Sequence, residues 1–219
     1  MITRPEEPLA DPWTAHALAE VIDELVALLG TPGGRPAVLG VDGRSAGGKT
    51  TLAQRLAAAV PGSVVVHSDD VAWWESFFGW DHLMAAGVLE PVHRGEPVCF
   101  RPPAWDARGR EGAIEVPVGT RLVIVEGVAV TRRSLAGLLD AAVWVQSDVA
   151  EARRRGLARD ALTGGTEAFW DEWDAEEIVV LAQDRPWERA DLVLCGTPGL
   201  TGVGHDPATD LLVGRSLRP

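Results

Sequence analysis

The stretch Gly43-Arg44-Ser45-Ala46-Gly47-Gly48-Lys49-Thr50 satisfies G-x-x-x-x-G-K-[ST], and its flanks give the motif its meaning. Before it, Pro36 to Val41 (PAVLGV) is a short apolar run between Gly/Pro punctuation, as expected of a strand covered on both faces. After it, Thr50 to Val60 places Leu52, Ala53, Leu56 and Ala57 on one helical face, and Pro61-Gly62 ends the pattern. A glycine-rich turn between a strand and a helix lets backbone N–H groups and the helix terminus point at phosphate oxygens. Residues Gly43, Arg44, Ser45, Ala46, Gly47, Gly48, Lys49, Thr50 and Thr51 are therefore the expected nucleotide contacts, with Lys49 supplying a mobile charge and Thr50 a hydroxyl for Mg²⁺. Lys49 is the only Lys among 20 basic residues, so a strong bias toward Arg spared the one position where a compact ammonium is needed.

Working outward, Ser63 to His67 reads as a second strand, Arg121 to Glu126 (RLVIVE) as a third, Ala142 to Val145 as a fourth and Ala190 to Leu194 as a fifth. Helices are expected over Trp13 to Leu29, Asp81 to Leu89, Arg133 to Leu139 and Glu167 to Gln183. A further one follows Asp148, which has capping-box spacing to Glu151. Asp69 to Val118 otherwise shows no sustained period, and Asp210 to Val213 is a last short apolar segment. This alternation predicts an α/β protein: a three-layer, doubly wound, mostly parallel sheet with ligands outside the carboxyl ends of its strands.

The 219 residues suit one domain with a sizeable core. A hydrophobic share of 46% with 24% charged residues excludes a disordered chain. The net charge of -12 argues against nucleic acid as a partner. There is no run long enough for a membrane span, and the start, with Glu6, Glu7 and Asp11, lacks the parts of a signal peptide, so the cytoplasm is the expected compartment. Cys99 and Cys195 are too few for a disulfide scaffold and read as packing residues. Monomer and homodimer stay equally open.

Carboxylates at strand ends carry the next step. Asp69, just beyond the second strand, is placed to accept a proton from a substrate hydroxyl or to hold water around Mg²⁺, while a capping role for Asp69 and Asp70 is the alternative. Glu126, ending RLVIVE before Gly127, is a Walker-B-like candidate for the metal. Arg153, Arg154, Arg155 and Arg159 look like a lid over the phosphates at about 150–170; Arg155 and Arg159 share one helical face and, with Arg154, are the preferred phosphate contacts. On the acceptor side, Trp74, Trp105 and Trp170 are candidate stacking walls, and Arg101 and Arg108 candidate contacts to an acceptor's polar groups. No zinc-type spacing occurs around His67 or His82.

Gly40 to Thr51, His67-Ser-Asp-Asp70, Val125-Glu-Gly127 and Arg159-Asp160 together resemble the uridine kinase-like branch of the P-loop kinases, related to phosphoribulokinase, over about residues 36–196. The resemblance implies a P-loop nucleoside triphosphate hydrolase-type core with strand order 2-3-1-4-5. It also implies an Arg-bearing lid, and transfer of the ATP γ-phosphoryl to a small-molecule hydroxyl. On it, Asp69 matches the catalytic carboxylate, Lys49 and Thr50 the phosphate and magnesium positions, and Glu126 a less uniform acidic one. The stretch Asp70-Val-Ala-Trp-Trp departs from the uridine kinase pattern, and the chain has no Tyr, so the acceptor is left unnamed. An ATP kinase acting on a nucleoside or nucleoside-like compound is the leading expectation; a nucleoside-monophosphate kinase and a GTP-dependent switch are the alternatives.

Overall fold

A computed structural model describes residues 1–219, the side chain of Thr163 excepted. In chain order the elements are β1 (Thr14–Ala17), α1 (Leu18–Leu29), β2 (Ala37–Gly43), α2 (Lys49–Ala59), β3 (Ser63–His67), α3 (Ser68–Val71) and α4 (Asp81–Met84). A π-helical turn, Ala85–Leu89, joins α4 to α5 (Glu90–His93). Then come β4 (Val98–Phe100), α6 (Pro103–Arg108), β5 (Ile114–Val116), β6 (Leu122–Glu126), α7 (Arg133–Ala136) and β7 (Ala141–Gln146). The chain closes with α8 (Val149–Asp160), α9 (Glu167–Asp184), β8 (Leu192–Cys195) and β9 (Asp210–Gly214).

The main sheet runs β1-β9-β8-β7-β2-β6-β3. The five strands read from the sequence, β3-β6-β2-β7-β8, are parallel and lie in the expected order. Parallel strands need cover on both faces, and β2, β6 and β7 are buried at every residue. Alternate residues serve opposite layers: Leu39, Val41, Ile124 and Val143 pack with Val21, Leu25 and Leu29 of α1 and with Leu52 and Leu56 of α2. Val38, Val123 and Val125 face Trp80, Met84, Val88 and Val92 on the other side. Each such fully buried aliphatic side chain contributes about 1.5–3 kcal/mol. This is the three-layer architecture.

Three differences from the sequence reading have physical causes. Residues 14–17 are a strand and not the first turn of α1, because pairing with β9 at the sheet edge overrides a helical apolar spacing that only becomes buried from Val21 onward. That edge makes the sheet mixed, since β9 is antiparallel to β8 and to β1. Second, Asp69 to Val118 hides a two-stranded ribbon, β4 with β5, whose strands are three residues each and too short to show a period. Third, Cys99 is exposed on that ribbon and is not a packing residue, whereas Cys195 is half-buried, with burial pushing its thiol up to about 11. No helix is long and apolar enough to cross a membrane among the described residues.

Candidate active site

Strand register sets the site. His67, Val41 and Glu126 stand abreast at the carboxyl ends of β3, β2 and β6, so the chain turns from β2 into the loop at Gly43 beside both the Glu126 carboxylate and the His67 ring. Two glycines are required there. Gly48 enters α2 at φ 104°, a left-handed conformation costly for any residue with a Cβ. At Gly127 a Cβ would sit 1.7 Å from Ser68 Oγ, so the turn after Glu126 passes α3 only without a side chain.

Lys49 is buried, its Nζ donating to Arg44 O at 2.9 Å, which holds the ammonium inside the loop. Thr50 Oγ1 donates to Glu126 Oε1 at 3.0 Å, and the same oxygen lies 2.6 Å from His67 Nδ1. Burial pushes the Glu126 carboxyl upward, but the His67 hydrogen bond, the Lys49 ammonium and the Thr50 hydroxyl outweigh it and leave it below the ordinary carboxylate range. His67 is raised above the usual imidazole value by its hydrogen bond to Glu126, against the opposing effect of burial.

The loop opens into a cavity of about 1040 Å³. Ser45 through Thr51, Glu126 and Gly127 form one side of it, and Asp69 with the aromatic run Trp73, Trp74 and Phe77 forms another. The third side is formed by Arg155, Arg159 and Asp160 of α8 with Phe169, Trp170 and Trp173 of α9. Asp148 caps α8 by accepting from Glu151 N at 3.0 Å, but the reciprocal half of the capping box is not made: Asp148 N donates to Thr197 Oγ1 and the Glu151 carboxylate accepts from Arg154 and Arg155. Gly156 lets α9 approach, since a Cβ there would lie 2.0 Å from the Trp170 ring, and Arg153 ties the two helices through Asp171 at 2.6 Å. Trp170 is buried, with Nε1 donating to Asp160 at 3.0 Å. Phe77 meets Phe169 and Trp173 at ring distances of 5.8 and 5.0 Å, which closes the aromatic wall.

Of the residues singled out from sequence, Ser45, Ala46, Gly47, Gly48, Lys49, Thr50, Thr51, Asp69, Glu126, Arg155, Arg159, Trp74 and Trp170 all line this cavity. Six others lie apart from it. Gly43 sits beneath the loop against β7, its Cα too close to Val145 O for a side chain. Arg44 turns inward, its side chain buried against Glu7 and 4.0 Å from Glu177. Arg154 is exposed and paired with Glu151, because it falls on the outer face of α8, about 100° from Arg155. Trp105 is a core residue whose Nε1 donates to Asp70 O at 2.9 Å. Arg101 is spent on its own loop, donating to Asp106, Gly112 and Arg110. Arg108 lies outside the cavity, stacked 3.5 Å over the Trp74 ring.

Three acidic residues with no motif behind them complete the site. Glu7 is wholly buried beneath the loop, pairing with Arg44 and accepting from Trp144 Nε1 at 2.8 Å and Gln146 Nε2 at 3.0 Å. Glu177 of α9 accepts from Ser45 N at 2.7 Å, joining that helix to the loop backbone. Asp42 accepts from Gly43 N, Ala129 N, Thr131 N and Thr131 Oγ1, pinning the segment after Glu126; burial still leaves its carboxyl above the ordinary range. The side-chain partners of Glu7 are 37 to 139 residues away and the Ser45 amide held by Glu177 is 132 away, beyond any local spacing rule; only the acid's place before Gly43 hinted at Asp42.

No family model matches the chain, and no curated protein matches it either. Solved structures do. A candidate fructose transport system kinase from Silicibacter sp. TM1040 superposes with a TM-score of 0.57 at 21% identity, over 80% of this chain and 95% of that one. A candidate uridine kinase from Bacillus stearothermophilus gives 0.51 at 20% identity, over 80% and 98%. The YGR205w protein gives 0.53 at 10% identity, over 81% and 90%. The phosphate loop, the strand order and these likenesses agree: the chain has the fold of the uridine kinase-like P-loop kinases.

Proposed function

We propose that this protein is an ATP-dependent kinase that transfers the γ-phosphoryl group to a hydroxyl of a small molecule. The observation that carries the reading is a single cavity in which the phosphate loop, the Asp69 carboxylate, two lid arginines and an aromatic wall converge. The kinases of like fold support a phosphotransferase and leave the acceptor open.

The amides of Ser45 to Thr50, the α2 terminus and Lys49 bind and orient the β- and γ-phosphates. Asp69 orients the acceptor hydroxyl and takes its proton as the oxygen attacks the γ-phosphorus; the new O–P bond forms as the bond to the β,γ-bridging oxygen breaks, and ADP leaves. Arg155 and Arg159, on one face of α8, follow the charge spreading over the transferring oxygens when the lid closes and excludes water. Thr50 Oγ1 and Glu126 Oε1, 3.0 Å apart beside the loop, are hard oxygen donors that suit Mg²⁺. When bound, Mg²⁺ neutralises charge on the phosphates.

The test is phosphate transfer from ATP across a panel of hydroxyl compounds, with Asp69→Asn alongside. Turnover in the variant is expected to fall by about 10²–10⁴-fold with ATP affinity retained. A folded, ATP-binding protein that phosphorylates no acceptor contradicts the kinase reading, and a variant that loses ATP binding contradicts the role of Asp69.

A further inference from the structure

Resting on the phosphotransfer reading, we infer that the acceptor is a hydroxyl compound carrying a protonated amine on an aromatic or apolar body, and that it carries no phosphate. The argument begins with where positive charge is absent. An acceptor phosphate needs Arg or Lys on its own side of the cavity. The basic residues lining the cavity are Lys49, Arg155 and Arg159, all on the phosphate loop or the lid helix α8. Each already has a partner there: Lys49 the Arg44 carbonyl, Arg155 Glu151 and the Gly196 carbonyl, and Arg159 Asp160. The arginines nearest the acceptor side are committed outside it. Arg101 serves its own loop, Arg110 pairs with Asp70 and stacks 3.7 Å over Trp105, and Arg108 covers Trp74.

What remains on the acceptor side is negative and aromatic. Asp69 and Glu75 both line the cavity, and neither carboxylate has a hydrogen-bond or ion-pair partner among the described residues. Of the rings on the same segment, Trp73 and Trp74 already carry guanidinium groups, Arg110 at 5.2 Å and Arg108 at 3.5 Å, which leaves Phe77, with Phe169 and Trp173 facing it from α9. Rings present a negative face to a cation, and carboxylates beside them add to it. A second phosphate placed here would meet two like charges. A neutral acceptor would leave Glu75, already half-buried, without a partner once the lid excludes water. An ammonium group satisfies Glu75 and uses the rings, while Asp69 stays available to the hydroxyl. The net charge of -12 works in the same direction by drawing cations toward the molecule.

The experiment is calorimetric titration of the full chain, with Mg²⁺ and a non-hydrolysable ATP analogue present, by three related probes: phenylethanolamine (cationic), phenylethanediol (neutral) and phenyl phosphate (anionic). Phenylethanolamine is expected to bind roughly tenfold or more tightly than phenylethanediol, with phenyl phosphate weakest. Glu75→Gln should bring the first two to within about twofold, and Glu75→Lys should invert the order of cation and anion. Equal or tighter binding of the neutral or anionic probe, no binding of any probe, or a cation preference that survives Glu75→Gln overturns the inference. Binding of the analogue is read in the same cell: if it is absent the phosphotransfer reading falls, and if it is present without a charge preference only this inference falls.

Discussion

The two sides of the cavity are built on opposite electrostatic plans. On the nucleotide side nearly every charge has a partner within the protein: Lys49 the Arg44 carbonyl, Arg44 Glu7, and Glu126 both Thr50 and His67. On the acceptor side Asp69 and Glu75 make no side-chain hydrogen bond or close ion pair among the described residues, Asp69 being only within electrostatic reach of Arg159 and His67, and both stand among rings. Groups already satisfied fix a loop in place and give it stability. Carboxylates held without partners cost stability or contribute little, which is the pattern of a surface shaped for a ligand. Substitutions should therefore separate cleanly, with stability lost on one side and function on the other.

The largest effect on stability belongs to Glu7→Ala. It leaves the buried Arg44 guanidinium with only Glu177, 4.0 Å away, and removes the acceptor of Trp144 Nε1 and Gln146 Nε2, so unfolding in denaturant should show a loss of about 3–5 kcal/mol. A loss under about 1 kcal/mol would mean that the loop does not depend on its buried support.

The amino end of β2 supplies a control remote from the ligand. Asp140 accepts from Arg35 at 2.7 Å through both oxygens and from Val38 N at 2.8 Å. Burial pushes its carboxyl up, but these hydrogen bonds outweigh burial and hold it below the ordinary range. A depressed folded value means that the stabilisation is fully present above the unfolded carboxylate pKa of about 3.9 and is lost as pH falls through the lower folded value. Asp140→Asn should cost about 1.5–3 kcal/mol at neutral pH, and the gap to the parent should close in acid below about pH 4. A gap independent of pH would assign the loss to packing.

Smallest of all should be the change in stability on the acceptor side. Asp69→Asn and Glu75→Gln are each expected to shift unfolding by within about 0.5 kcal/mol, while Asp69→Asn lowers turnover by about 10²–10⁴-fold. Thermal melts of the two variants check this. A large loss in either would place that carboxylate in the framework and erase the contrast between the two sides.

The same contrast explains how much was legible in the sequence. The phosphate loop, its strand and helix, and the five parallel strands in order were readable because each rests on contiguous residues: a glycine motif, an apolar run, a 3.6-residue period. Arg155 and Arg159 share a helical face in the sequence, but Arg154 is grouped with them there as a phosphate contact, and only the fold shows Arg154 turned outward. Glu7, Glu177 and the His67–Glu126 contact were not readable, since each joins segments that only sheet register or helix packing brings together. Arg101 and Arg108 have the composition of anion contacts, yet a carbonyl-rich loop claims the first and the Trp74 ring the second. Edge strand β1 was missed for the same reason, its partner β9 lying almost two hundred residues further on.

The most direct test of the central claim is calorimetric titration of the folded chain with Mg-ATP, compared with Lys49→Met. Saturable binding at one site is expected for the parent, weakened by about 10–100-fold in the variant, as fits the loss of one charge-assisted contact. Absence of binding to the folded parent, or an affinity unchanged by Lys49→Met, would contradict the account.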